Sequence, residues 1–113
     1  MTKIYHNPRC RKSRETLALV NEKGEAIEIV EYLKNPPSKD ELANIIEVLG
    51  ISPRQLIRKG EKLFKEEFKD KELTDMQWID VMSENPILIE RPIVIKDGKA
   101  KIGRPPESVL DIL

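Results

Sequence analysis

Only one cysteine and one histidine occur in the 113 residues of this chain, and only five side chains are aromatic. A single thiol closes no internal disulfide, so the fold calls for no oxidising compartment and a reactive thiol survives best in a reducing one. One histidine and one cysteine offer two metal ligands where zinc takes three or four, so no metal site is expected. Lys and Arg balance Asp and Glu at 20 each, so no basic excess marks the chain for nucleic acid. No apolar run approaches the roughly 18 residues of a membrane span, and Met1-Thr2-Lys3-Ile4-Tyr5 opens no apolar targeting segment. The expectation is a cytoplasmic protein of one domain, residues 1–113, with no membrane partner. Without an evident apolar patch, monomer is the default state.

What is present alternates between strand and helix signals. Residues 2–5 are β-prone and stop at Asn7-Pro8, after which 11–23 read as a helix closed by Gly24. Residues 26–32 alternate Ile27, Ile29, Val30 and Tyr32 with Glu28 and Glu31 as a second strand, which makes a βαβ opening. Ser38 with Glu41 forms a capping box for a helix carrying Leu42, Ile45, Ile46 and Leu49 up to Gly50. Ser52-Pro53 with Gln55 starts a short helix that delivers Arg58 near its end. Residues 61–72 read as a helical turn or loop of undefined length, and Leu73-Thr74 with Gln77 and Trp78 opens another helix that ends before Asn85-Pro86. Strands over 92–95 and 99–102 flank the hairpin signal Asp97-Gly98, and 105–113 fit a short helix. This order predicts an α/β, thioredoxin-like fold with a helical insertion, about 38–85, between an N-terminal βαβ and a C-terminal ββα.

The lone cysteine, Cys10, lies between the first strand and the first helix in Tyr5-His6-Asn7-Pro8-Arg9-Cys10-Arg11-Lys12-Ser13-Arg14. That position puts it at the carboxyl edge of a sheet and beside a helix N-terminus, where partial positive charge and N–H donors favour an anion. Ordinary thiols are only a few per cent ionised at neutral pH, and cations with a helix N-terminus lower their pKa. Arg9 and Arg11 therefore read as electrostatic support for a thiolate. His6 either tunes the thiolate or takes a hydrogen-bonded structural role. Ser13 completes a Cys-x-x-Ser, its hydroxyl serving the thiolate or the helix cap. With no second cysteine, any adduct on Cys10 must be cleared by an outside thiol.

Several stretches together resemble one family. His6-Asn7-Pro8-x-Cys10-x-x-Ser13-Arg14, Tyr32-Leu33-x-Asn35-Pro36-Pro37-Ser38, Leu56-Ile57-Arg58-Lys59, Asn85-Pro86-Ile87-Leu88-Ile89-x-Arg91-Pro92 and Arg104-Pro105 are colinear with the glutaredoxin-dependent arsenate reductases. The resemblance implies that Cys10 attacks arsenate and that Arg58, Arg91 and Arg104 bind the oxyanion. It implies a cis-proline at Pro92 facing the thiol, no bound cofactor, glutathione as co-substrate and glutaredoxin as redox partner. Guanidinium forks suit such a substrate because they hold tetrahedral oxygens bidentately.

Rival readings differ in testable ways. Arsenate reductases of the phosphatase type bind their anion in a Cys-x5-Arg loop, but Thr16 stands six residues after Cys10. A regulator of the Spx type shares the expected fold and binds RNA polymerase, though its typical redox switch needs a second cysteine where Ser13 stands. A thiol oxidoreductase acting on another oxyanion is the remaining alternative.

Overall fold

The computed structural model describes every residue from Met1 to Leu113. Two compact units emerge, one from residues 1–35 and 91–113, the other from 36–90.

The first unit holds the sheet. Its elements are β1 (Thr2–His6), α1 (Arg11–Glu22), β2 (Ile27–Glu31), β3 (Ile93–Lys96), β4 (Lys99–Ile102) and a 3-10 helix over Pro106–Ile112. The strands run in the order β2-β1-β3-β4. β1 pairs in parallel with β2, Ile4 opposite Ile29, and α1 supplies the crossover that a parallel pair requires. β3 runs antiparallel to β1, Val94 opposite Ile4, and β4 folds back on β3. That hairpin turns at Asp97 and Gly98, whose φ angles of 50° and 75° are the positive pair a type I′ turn demands.

Side chains alternate across a strand, so Thr2, Ile4 and His6 share one face of β1. Ile4 and Val94 bury that face with Val20 of α1 and Val109 of the C-terminal 3-10 helix, all at 0% exposure. Leu17, Ile27, Ile112 and Leu113 complete the cluster. Each buried aliphatic side chain of this kind contributes about 1.5–3 kcal/mol. The second strand departs from expectation. It ends at Glu31, leaving Tyr32 in a turn, and Ile29 stays half exposed because β2 is an edge strand with a neighbour on one side only.

The second unit contains α2 (Lys39–Leu49), a 3-10 turn over Pro53–Leu56, α3 (Lys62–Glu67), α4 (Asp75–Glu84) and a 3-10 turn over Pro86–Leu88. Leu42, Ile45, Leu56, Trp78, Ile79, Met82 and Leu88 are buried in it. Phe64 and Phe68 pack on Trp78 with ring centroids 6.2 and 6.4 Å away. Capping is local and legible: Ser38 Oγ accepts from Glu41 N–H, while Thr74 and Gln77 bond each other's backbone N–H. Of the undefined stretch 61–72 only Lys62–Glu67 is helical, as α3, and the rest is turn and irregular chain. The turn begun at Pro53 is 3-10 and stops at Leu56, so Arg58 lies beyond it, anchored by its N–H donating to the Leu88 carbonyl at 2.8 Å. No helix is long and apolar enough to cross a membrane.

Candidate functional site

Cys10 is the N-cap of α1, with an extended backbone (φ −93°, ψ 122°). The loop that presents it is held by its own hydrogen bonds. Asn7 Oδ1 accepts from Arg9 N–H at 3.0 Å and the Asn7 carbonyl accepts from Cys10 N–H at 3.0 Å. Such Asx turns let a short polar side chain replace backbone pairing. Arg14 Nη1 donates to the Pro8 carbonyl at 2.9 Å and closes the loop from the helix side.

His6 and Ser13 form a buried latch under this loop. His6 Nδ1 and Ser13 Oγ are 2.7 Å apart, and Ser13 Oγ accepts from Asn7 N–H at 3.0 Å. Burial is the main cause that lowers the His6 pKa; Glu31 opposes it and Arg14 adds to it. A neutral ring with Nδ1 accepting the serine proton satisfies every partner. Of the roles weighed for Ser13, its hydroxyl therefore serves the loop and His6, and its backbone N–H serves the sulfur.

Burial is the largest single influence on the Cys10 thiol and pushes its pKa up. The Ser13 N–H, a hydrogen bond from Arg91 and the charges of Arg91 and Arg104 outweigh it, so the thiol lies below its ordinary value. Arg104 Nη2 approaches Cys10 Sγ at 3.5 Å, and its Nε donates to the Arg91 carbonyl at 2.9 Å. Both Arg91-Pro92 and Arg104-Pro105 are cis peptides; the second had no counterpart in the sequence reading. The result is a thiol of lowered pKa at a helix N-terminus, flanked by two guanidinium groups, an arrangement that favours its nucleophilic anion.

The remaining candidate residues make contacts of their own. Arg11, next to Cys10 in sequence, pairs with Glu15 at 2.9 Å on the exposed side of α1. Arg9 turns its backbone to Asn7, and neither Arg9 nor Arg11 is among the groups that move the thiol. Arg58 belongs to the second unit, where Glu61 and Glu90 hold its guanidinium at 3.4 and 3.5 Å. No three His, Cys, Asp or Glu side chains cluster as a metal site would need.

Two supporting residues escaped the sequence reading. Gly103 donates its N–H to the Pro92 carbonyl at 2.9 Å, and a Cβ there would lie 2.8 Å from Pro92 Cγ and collide with Thr16 Oγ1. Gly103 thus lets β4 approach α1 and the proline and sets the start of Arg104. Thr16 is fully buried, its hydroxyl donating to the Lys12 carbonyl at 2.8 Å. The one sequence signal was a glycine immediately before a candidate arginine.

Comparison with known proteins places the chain. The model of the ArsC family matches residues 5–112. An arsenate reductase of Haemophilus influenzae is 50% identical over 112 residues, covering 97% of each chain. A protein of Escherichia coli K12 named "Uncharacterized protein YfgD" is 50% identical over 113 residues, covering 98% of this chain and 95% of its own. The solved structure of an arsenate reductase from Vibrio cholerae superposes with a TM-score of 0.95 at 47% identity, covering 99% of this chain and 97% of that one.

Proposed function

The chain belongs to the ArsC family, whose thioredoxin-like α/β fold it has, and from that premise we propose that it reduces arsenate to arsenite with Cys10 as nucleophile. The observation that carries this reading is the Arg104 guanidinium 3.5 Å from the Cys10 sulfur, with Arg91 a second cation that lowers the pKa of the same thiol.

Arsenate brings a tetrahedral set of negative oxygens, which the two guanidinium groups hold while stabilising charge that grows during attack. The sulfur bonds to arsenic, an arsenic–oxygen bond breaks, and the oxygen leaves as water after protonation; arsenic stays pentavalent. Glutathione joins the adduct by a second exchange of the same kind. A glutaredoxin thiolate then attacks the glutathione sulfur, and the electron pair of the broken sulfur–arsenic bond stays on arsenic. Two thiols become one mixed disulfide while arsenic gains two electrons, so the step balances. Water replaces the Cys10 sulfur, releasing arsenite and the free thiol. Because thiols carry the electrons, the scheme calls for no bound cofactor, and a reducing cytoplasm suits it. Arg58 takes the same oxyanion role in this proposal through the family resemblance alone.

The test is arsenate-dependent NADPH oxidation with glutathione, glutaredoxin and glutathione reductase, comparing the native chain with Cys10→Ser. Turnover in the native chain and none in the variant supports the reaction. A folded native chain without turnover overturns it, and retention on immobilised RNA polymerase in that case favours the regulator.

A further inference from the structure

Within the second unit, Arg58 stands between two carboxylates, its Nε 3.4 Å from Glu61 Oε1 and its Nη1 3.5 Å from Glu90 Oε1. One guanidinium and two carboxylates carry one formal negative charge in excess, an unusual setting for an arginine that is to receive an anion. Charge-assisted hydrogen bonds close to about 2.7–2.9 Å, and both contacts are longer. The buried Nη1 makes no hydrogen bond at all. A buried donor in that condition calls for an acceptor.

Backbone fixes the three side chains. Ile57 and Ile89 form an isolated antiparallel bridge, across which Arg58 N–H donates to the Leu88 carbonyl and Glu90 N–H to the Leu56 carbonyl, both at 2.8 Å. Arg58 and Glu90 are thereby diagonal neighbours on one face of the bridge, within reach of each other's long side chains. The Arg58 carbonyl accepts from Glu61 N–H at 3.2 Å, a turn that brings Glu61 back to the guanidinium. Side-chain exposure of 23% for Arg58 and 25% for each glutamate lets a small solute reach the cluster while much of the bulk water is excluded.

An ionised carboxylate only accepts hydrogen bonds, and its lone pairs outnumber the donors of one arginine. Beside Arg58 such groups attract a ligand O–H and repel an oxygen that carries no proton. Near neutral pH arsenate and phosphate keep at least one proton, whereas sulfate has lost both. We propose that Glu61 and Glu90 make Arg58 selective for a protonated tetrahedral oxyanion, arsenate or phosphate, against sulfate. One oxygen of the ligand accepts from Nη1, and its O–H donates to a flanking carboxylate. The assignment rests on Arg58 binding the oxyanion, and it adds which oxyanions that arginine takes and which residues decide.

Inorganic phosphate and sulfate, titrated calorimetrically into the full chain, test this without any chemistry at the thiol. Sulfate binds at least about tenfold more weakly than phosphate, since a site that pairs with a ligand's O–H rejects the analogue lacking it. Glu90→Gln and Glu61→Gln keep the shape and remove one charge each. Both narrow the ratio by strengthening sulfate, and both lower the sulfate concentration that inhibits arsenate turnover; either serves if the other fails to fold. Arg58→Ala weakens phosphate and erases the preference. Absence of phosphate binding, equal affinities in the native chain, a ratio unmoved in the folded glutamine variants, or phosphate affinity unmoved by Arg58→Ala overturns the assignment. Selective binding without arsenate turnover sinks the proposed reaction and leaves the role of the two glutamates standing; turnover without selectivity does the reverse.

Discussion

The Arg104 guanidinium stands 3.5 Å from the Cys10 sulfur although 94 residues separate the two along the chain. Its course is set by backbone: Arg104 Nε donates to the Arg91 carbonyl, and its N–H donates to the Ile102 carbonyl at 2.9 Å. The charge that meets the thiol is therefore delivered by the ends of β3 and β4, not by the arginines beside it in sequence.

Removing that charge should raise the thiol pKa. Iodoacetamide alkylation rates against pH will place native Cys10 below an ordinary thiol, with Arg104→Ala higher and Arg91→Ala higher still, since Arg91 supplies both a hydrogen bond and charge. Arg11→Ala, which loses only an exposed pair with Glu15, leaves the profile in place. The native thiol titrates below its unfolded value, so the stability it contributes is present above the ordinary thiol range and is lost as pH falls through the native value.

Ser13→Ala separates the loop latch from the thiolate. It strips the partner from His6 Nδ1 and Asn7 N–H, both in buried residues, and costs about 1–3 kcal/mol in urea unfolding. The thiol pKa moves little, because the Ser13 backbone N–H remains. A large pKa rise without loss of stability contradicts this assignment.

Gly103→Ala forces a methyl group against Thr16 and Pro92. Overpacking of this kind costs about 1–3 kcal/mol, and the displaced start of Arg104 lowers arsenate turnover as well. Gly60→Ala is the control, with open space around its Cβ position. Equal stability of the two variants removes the close-approach argument.

Glu25 ties the start of β1 to the end of β3. Lys96 Nζ donates to its carboxylate, as does Thr2 Oγ1 at 3.0 Å, and together they hold its pKa below the usual glutamate range. A depressed carboxyl contributes stability above its unfolded pKa and loses it as pH falls through the native value. Thermal melts from neutral to acidic pH should thus show a steeper decline in the native chain than in Glu25→Gln.

In the second unit, Thr74→Ala removes the acceptor for Gln77 N–H at the start of α4. Loss of such a cap costs about 0.5–2 kcal/mol, read as a lower urea midpoint with unchanged slope. Gln77→Ala removes the reciprocal bond to Thr74 N–H and should cost less, since that N–H lies exposed to water.

Cys10 at the mouth of α1, the caps at Ser38 and Thr74, and the Asp97-Gly98 turn were all legible in sequence, because each depends on interactions spanning four residues or fewer. So was the order of strands and helices, which follows from hydrophobic period and breakers. What eluded sequence was the exposure of Ile29, the 3-10 character of the turn before Arg58, the latch between His6 and Ser13, and the close approach at Gly103. A local reading credited Arg9 and Arg11 because they are adjacent to the thiol. Adjacency in a chain does not fix direction: at the start of a helix, side chains one residue apart point about 100° apart, and Arg11 turns to Glu15.

Sequence alone therefore determined which thiol the chain presents and where along the strand–helix junction it stands, since backbone propensity and capping act over single turns. Tertiary structure alone decided which cations face it. Antiparallel pairing of β3 with β1 and of β4 with β3 carries Arg91 and Arg104 to the N-terminus of α1, and charge acts through distance in space, which no spacing along the chain records.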